Sequence, residues 1–501
     1  MKRRDCSDSK RFLHGIFTIP VEAYVEYFKI DDLIMLRRTH PGFAGKLCLI
    51  AKPVIELFAP MIGIIDYSNV PRQFPKAKLA VGKRQSGITC SQNLNVLGNI
   101  TSLDCTGRSI MVVDLSVMTG LTSLCLDQCD AIKTEWLDAM TKLVSLNLAD
   151  NNQIKGVTLR KLTNLRHLNL DSNTTITDLD IEGLPLCSLS LAHNTTISPF
   201  VIRRLNLTQL NIDRYGTGEF TAETSLWTTI TDLHINIGDR WRLKNREETI
   251  AKMTWLRRLT ITDSFPHIDC VKSLTNLTYL ELKDATVGEI VGITPLLLLQ
   301  TLIIKGQKNV RHLIDFPVGP FNDLTHLEII DYDVIFNFDF LTNLTHLDIE
   351  CVPPMDYGKL CKLKNLTKLI LRISSLWTYI DISGLRSLIS LEVLGRGIVR
   401  SFVGNDSLQS LKMDITNCIL DDSSLVLMRN LRHLSLGIFS CEKVIGTCFR
   451  SLDKLFSVEI SVRNKLGEEC IADLEKRGVM VRYLKYIEGS SYRAIEANFM
   501  H

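Results

Sequence analysis

Leucines in this chain recur with a fixed grammar. LTNLRHLNLDSNTTI runs from Leu162 to Ile176, LTNLTYLELKDATV begins at Leu274, and LTNLTHLDIECV begins at Leu341. The shared template is L-x-x-L-x-L-x-x-N/C-x-x-I, with starts from Ile100 to Leu455 spaced 20 to 26 residues apart. In x-x-L-x-L-x the two leucines alternate, so both point to one face of a short strand and the residues between them point to the other. The first Leu and the later Ile turn inward from the flanking loops. One unit cannot cover its own apolar face, so units must stack and share a continuous core. Each buried Leu or Ile is worth roughly 1.5–3 kcal/mol relative to exposure. Outer segments such as Ile132–Met140 and Arg240–Lys252 predict short helical turns and loops.

A repeat of about 22 residues with this wording resembles the leucine-rich repeat family, over roughly residues 95–485. The resemblance implies an α/β fold, a leucine-rich-repeat solenoid or horseshoe with a parallel sheet on its concave side. In that family the loop asparagine satisfies backbone groups of its turn. It is present here at Asn151, Asn173 and Asn194, with Cys129 as the usual replacement, whereas later units carry Tyr215, Ser264, Tyr332 or Phe439. That change predicts looser or irregular turns in the C-terminal half.

Terminal units of a solenoid need caps. At the C-terminus, Leu466–Arg477 predicts an amphipathic helix, Gly478 a break, Val479–Tyr486 a last strand, and the residues from Gly489 a loose tail. At the N-terminus, Thr18 can cap a helix with Pro20 in its first turn and Val21, Tyr24, Val25 and Phe28 on one face. Asp31 or Asp32 can cap a second helix bearing Leu33 and Leu36, which Pro41-Gly42 ends. Ile19, Pro20, Glu22, Phe28, Leu33, Leu36 and Phe43 resemble an F-box. The resemblance implies that these residues dock a Skp1-like adaptor of a cullin-type ubiquitin ligase while the repeats hold the target. The stretch between Glu22 and Leu33 is about three residues shorter than the family's, and a plain helical cap gives a similar pattern. The expected organisation is an F-box-like helical unit at 1–51, a linker or irregular N-terminal cap at 52–95, leucine-rich repeats at 96–464, and a C-terminal cap and tail at 465–501.

Composition narrows the class. Apolar residues make up 45% and charged residues 23% of the 501, which suits a folded soluble protein. Net charge is +3, unevenly spread: residues 1–99 carry 15 Lys and Arg against 8 Asp and Glu, and the remainder 43 against 47. No dense basic stripe marks a nucleic-acid binder. The most apolar run, Val54–Ile65, is broken by Glu56 and Pro60 and is too short to span a bilayer, so no membrane partner is expected. The 14 cysteines are scattered without a CxxC pair, and the charged opening MKRRDCSDSKRF precedes no apolar signal segment. These features predict reduced thiols and a cytoplasmic protein, with the nucleus also compatible. The Asn-x-Thr triplets at 276–278 and 343–345 arise from the repeated phrase and carry no weight as glycosylation sites.

Hydrolase, zincin and Walker signatures are absent, so no enzyme activity and no cofactor are expected. Binding residues are sought on the concave face, where consecutive units align one column about 4.8 Å from the next. Its middle column begins with small neutral residues and ends with acids among apolar positions. Arg258, Tyr279, Glu281, His326, Glu328, His346, Asp348 and Glu350 are the candidates for gripping a protein target. Paired imidazoles beside carboxylates could take a metal or a basic peptide, but T-H-L and R-H-L are also recurring strand words, and no metal is assigned. The longest step, 26 residues, contains Arg240, Trp241 and Arg242, whose composition suits an interface anchor. Trp136, Trp227, Trp255 and Trp377 are expected to be structural. The function expected is a protein-binding adaptor of the F-box substrate-receptor type. The alternative is a leucine-rich-repeat scaffold or inhibitor with no ubiquitin link.

Overall fold

The computed structural model describes residues 54–57, 78–81, 100–106, 118–129, 132–215, 227–236, 244–262, 269–285, 293–306, 313–315, 321–335, 338–351, 357–373, 379–382, 384–395, 398–401, 406–415, 420–437, 444–461, 466–485 and 493–495. The F-box-like residues Ile19, Pro20, Glu22, Phe28, Leu33, Leu36 and Phe43 lie outside them, as do Arg240, Trp241, Arg242 and Trp377. The chain divides into two compact units, Met1–Ile235 and Asn236–His501.

The first unit is a ladder of short parallel strands, one per repeat. It runs through Ile100–Asp104, Ser123–Cys125, Ser145–Asn147, His167–Asn169, Ser188–Ser190, Gln209–Ile212 and Asp232–Asn236. The register sets Leu103, Leu124, Leu146, Leu168, Leu189, Leu210 and Leu233 side by side. All seven are buried. Two more strands precede this series within the segment expected to be a linker or irregular cap. Val54–Leu57 pairs in parallel with Lys78–Val81, which pairs in turn with the strand at Ile100. The ladder therefore starts two strands before the first leucine template, because neither strand carries the L-x-L word.

Turns in this unit are built by the loop asparagines. Asn151, Asn173 and Asn194 are fully buried. The Asn194 amide donates to the Leu170 and Asn173 carbonyls, each at 2.9 Å, and its Oδ1 accepts from the backbone N–H of Thr196 at 2.9 Å and Ile197 at 3.0 Å. Asn151 bonds likewise to the Leu126 and Cys129 carbonyls, at 3.0 and 2.8 Å. One side chain thus satisfies the groups its turn leaves over and stitches it to the previous repeat, as burial of backbone polar groups demands. The residue before each ladder position adopts left-handed backbone: Gln128, Asp150, Ser172, His193 and Arg214, with φ of 53, 50, 52, 55 and 48°. Tyr215 ends the series and keeps its stitch, its hydroxyl donating to the Ile197 carbonyl.

In the second unit the parallel strands are Arg258–Thr262, Tyr279–Ala285, Thr301–Gly306, His326–Ile330, His346–Cys351, Lys368–Ile373, Ser390–Gly395, Ser410–Ile415, His433–Leu436, Ser457–Ser461 and Met480–Lys485. Leu259, Leu280, Leu302, Leu327, Leu347, Leu369, Leu391, Leu411 and Leu434 form its shared interior row and are buried. Most turn positions of this unit, Ser264 and Phe439 among them, lie outside the described residues. The strands lengthen from three residues, as at Ser145–Asn147, to six, as at Lys368–Ile373, extending over positions that form the turn in the first unit. Among described non-glycine residues of this unit, only Asp331 has a positive φ, at 64°, before the fully buried Tyr332.

The repeated L-T-N-L-T phrase has a physical reason. Its asparagine amide reaches the previous repeat's loop carbonyl: Asn276 to Thr254 at 2.8 Å, Asn343 to Asn322 at 2.7 Å and Asn365 to Thr342 at 3.0 Å. Its second threonine does the same one residue before the strand, as Thr278 to Arg257 at 3.1 Å and Thr345 to Thr325 at 3.0 Å. These triplets are stitching, each bond worth about 0.5–1.5 kcal/mol.

The C-terminal cap is a helix, Glu468–Lys476, followed by Gly478 at φ 79° and the strand Met480–Lys485. Leu474 is fully buried, and Arg477 donates to the carbonyls of Phe449 at 2.5 Å and Leu452 at 2.6 Å, closing the last loop. Within the expected loose tail, Arg493–Ile495 pairs antiparallel with Tyr483–Lys485. Helical turns occur on the outer arc at Thr134–Leu137 and Lys244–Lys252. Trp227 is buried, while Trp136 and Trp255 are half-buried. No helix among the described residues is long and apolar enough to cross a membrane.

Candidate functional site

The face of each sheet opposite the leucine rows carries the residues between the leucines, aligned as the template predicts. In the first unit the middle column reads Asp104, Cys125, Asn147, Asn169, Ser190, Asn211 and His234. Much of its polarity is spent locally. Asn147, Asn169 and Asn211 accept from the N–H two residues ahead, at 2.9, 2.8 and 3.0 Å, and Asp104 accepts from Thr106 N–H at 3.0 Å. This face is small and mostly neutral.

The second unit's face is different. Its middle column reads Thr260, Glu281, Ile303, Glu328, Asp348, Ile370, Glu392, Lys412, Ser435 and Glu459, one residue per strand. All eight residues expected to contact a target lie here, in two clusters. In one, Arg258 and Tyr279 are register partners, with the guanidinium 3.8 Å above the Tyr279 ring. The Tyr279 hydroxyl donates to Glu281 Oε2 at 2.9 Å. Burial and the Glu281 carboxylate push the phenol up to about 12, so it stays a neutral donor at physiological pH.

In the other cluster, His326 and His346 are register partners whose rings stack with centroids 4.1 Å apart and planes 15° from parallel. His326 Nε2 lies 2.9 Å from Glu328 Oε1. That bond, with smaller help from the neighbouring positive groups, holds the Glu328 carboxyl below its ordinary range despite burial. Burial, then the neighbouring His326 and Lys368, pull His346 down to about 4, so its imidazole is neutral at physiological pH. Asp348 is only 4% exposed and is paired with Arg372. Glu350 accepts from the Asp331 N–H at 3.2 Å.

Three cations join these clusters that the leucine template did not single out. Lys283 Nζ lies 3.5 Å from Glu281 Oε2. Lys305 Nζ bridges the clusters, 3.7 Å from Glu281 Oε1 and 3.7 Å from Glu328 Oε2. Arg372 is the third, beside Asp348 and in register with Glu350. All three stand two residues beyond the middle column, where the template expects a turn. No asparagine stands at the ladder position of these units, and that missing asparagine was the available signal.

The surface is a sheet of fixed donors, acceptors and short ion pairs. Among the described residues, depressions lie along the loop edge. One of about 700 Å³ is lined by Gln300, Asn322, Asp323, Thr325, Asn343, Thr345 and Asn365. The thiols offer no activated nucleophile at the C-terminal cap: burial and Asp422 raise Cys448, and burial raises Cys470. Cys125, Cys187, Cys448 and Cys470 form no disulfide.

Residues 141–185 match the family model described as Leucine Rich repeats (2 copies). No curated protein matches the chain. Solved structures of similar fold include the mouse RP105/MD-1 complex, at 16% identity over 81% of this chain and 74% of that one, TM-score 0.47. An internalin from Listeria monocytogenes has 20% identity over 75% of this chain and 91% of that one, TM-score 0.33. A leucine-rich-repeat protein of Leptospira interrogans has 15% identity over 87% of this chain and 97% of that one, TM-score 0.31.

Proposed function

We propose that this chain is a protein-binding adaptor whose second unit grips a protein target on its open sheet face, and that residues 18–44 dock a Skp1-like adaptor, making it an F-box-type substrate receptor of a cullin-type ubiquitin ligase. The observation that carries the binding reading is the register of that face. Arg258, Tyr279, His326 and His346 in one column, and Glu281, Glu328 and Asp348 in the next, are aligned by the strand register, with Tyr279 bonded to Glu281 and His326 to Glu328 along their own strands and Asp348 paired with Arg372 on the neighbouring strand. A partner meets groups already ordered, so little side-chain entropy is lost on contact. Aromatic and arginine side chains beside charge suit a protein partner better than a small molecule.

The ligase reading rests on the residues themselves: Ile19, Pro20, Glu22, Phe28, Leu33, Leu36 and Phe43. In this reading the chain performs no chemistry, ubiquitin transfer belongs to its partners, and the protein works in the cytoplasm or nucleus. The unbridged Cys125, Cys187, Cys448 and Cys470 are compatible with such a reducing compartment. The test is co-purification of the full chain with a Skp1-like adaptor. Wild type should capture it, and a Pro20→Ala, Phe28→Ala, Leu33→Ala triple variant should not. If wild type captures none, the ligase link is wrong and the chain is a scaffold or inhibitor built on the same binding face.

A further inference from the structure

We propose that His326, Glu328 and His346 form a binding site for one divalent transition-metal ion of the zinc class. The proposal stands on side-chain placement and is independent of any role in ubiquitin transfer. His326 and Glu328 are two residues apart on one strand, so both point to the open face. His346 is the register partner of His326 on the next strand and points the same way. One donor atom from each of the three lies within 4.8 Å of the others. A tetrahedral zinc ion with bonds of about 2.0–2.2 Å needs donors separated by roughly 3.3–3.6 Å. The His326–Glu328 contact, at 2.9 Å, must open slightly, and the remaining distances, all within 4.8 Å, must close by at most about 1.5 Å. Side-chain rotation within the present register supplies that, because both strands are fixed by neighbours on either side.

The donor set selects the ion. Two imidazoles with one carboxylate suit zinc, copper(II) or nickel, whereas calcium and magnesium require a shell of oxygens. The cluster is half-exposed on the open face, which gives an entry path and leaves the fourth position to water. Lys305 opposes a cation, since its Nζ lies 3.7 Å from Glu328 Oε2. It has an alternative partner at equal distance, Glu281 Oε1, and can shift toward it when Glu328 turns to the ion. The two imidazoles stack with centroids 4.1 Å apart and planes 15° from parallel, so their nitrogens sit side by side and each ring must tilt toward the ion for both to bind it.

The test uses the full chain, stripped with chelator and exchanged into metal-free buffer, then titrated with zinc chloride by calorimetry and with cobalt chloride by visible absorption. Wild type should bind one equivalent more than His346→Ala or Glu328→Gln, and only wild type should give the cobalt band of a tetrahedral site. His433→Ala, which removes a histidine elsewhere on this face, should keep the full count. Lys305→Ala should tighten binding several-fold. Circular dichroism checks folding, and the isosteric Glu328→Gln variant decides if His346→Ala does not fold. Equal stoichiometry and affinity in wild type and Glu328→Gln would overturn the site, as would a wild type that binds no zinc.

Discussion

Replacing Asn173 by alanine should damage the first unit far more than its size suggests. The side chain is fully buried and makes five hydrogen bonds, one of them accepted from the Thr175 hydroxyl at 3.4 Å. Its amide donates to the Leu148 carbonyl at 3.4 Å and to the Asn151 carbonyl, and its Oδ1 accepts from Thr175 N–H at 3.1 Å and Ile176 N–H at 3.0 Å. The Leu148 carbonyl also accepts from Asn151 N–H at 3.1 Å, and Thr175 lies at the surface where water can replace the lost bond. That leaves the Asn151 carbonyl and the Ile176 N–H orphaned in the interior. Each buried unsatisfied group costs about 1–3 kcal/mol, so Asn173→Ala should destabilise the unit by about 2–6 kcal/mol. Asn164→Ala is the comparison. Its amide donates to the Thr141 carbonyl at 2.9 Å but is exposed, so water substitutes and the loss should stay below about 1 kcal/mol. Urea unfolding followed by circular dichroism gives the stability change, and amide hydrogen exchange gives the local one. Asn173→Ala should speed exchange at Ile176 and in adjoining turns. If it unfolds within about 1 kcal/mol of wild type and Ile176 keeps its protection, the asparagine ladder does not hold these turns.

Other outcomes follow from the same coordinates. In chelator, His346 binds a proton at about pH 4 in the native state against an ordinary value of 6.5, so between these values the unfolded chain binds more protons and stability must rise with pH. At full weight the 2.5-unit gap is about 3.4 kcal/mol, and solvent screening of the half-exposed ring reduces it to about 1–2 kcal/mol. Urea midpoints should therefore fall more steeply below pH 6.5 for wild type than for His346→Gln, and parallel curves would contradict the assignment. Gly395 sits at φ 103° with the Ile373 carbonyl oxygen 2.2 Å from where a Cβ would be, so Gly395→Ala should lower stability by at least about 2 kcal/mol in the same assay. Cys448, buried and raised by its surroundings, should resist iodoacetamide in the native protein while the exposed Cys361 is alkylated, as read by peptide mass mapping. Equal rates at the two would show that the cap is open.

The periodic part of the fold was legible because one rule repeats. Every leucine pair has to face its neighbour's, so Leu146, Leu168, Leu280 and Leu347 could be placed inside from spacing alone, and the middle column of the open face followed by alternation. Strand length was not legible in the same way. The shift from Asn194 to Tyr332 at the ladder position signalled a changed turn, but the template does not say how far each strand extends. Lys283, Lys305 and Arg372 were missed for that reason. The strands at Val54–Leu57 and Lys78–Val81 were missed because they lack the L-x-L word, and Arg493–Ile495 because its order depends on a distant edge. The histidine cluster was visible as residue types. The stacking of its two rings depends on side-chain torsions that spacing does not determine.

The central claim is that the second unit's open face, with its ordered columns of Arg258, Tyr279, Glu281 and Glu328, is what a protein target grips. The most direct measurement places a photo-crosslinking amino acid at Thr301, between Tyr279 and His326 on that face, and in a second protein at Ser190 on the first unit's face. We expect a discrete protein adduct from position 301, abolished when Glu281→Lys and Glu328→Lys are introduced together, and none from position 190. Adducts of equal yield from both positions, or an adduct at 301 that survives both charge reversals, would contradict it.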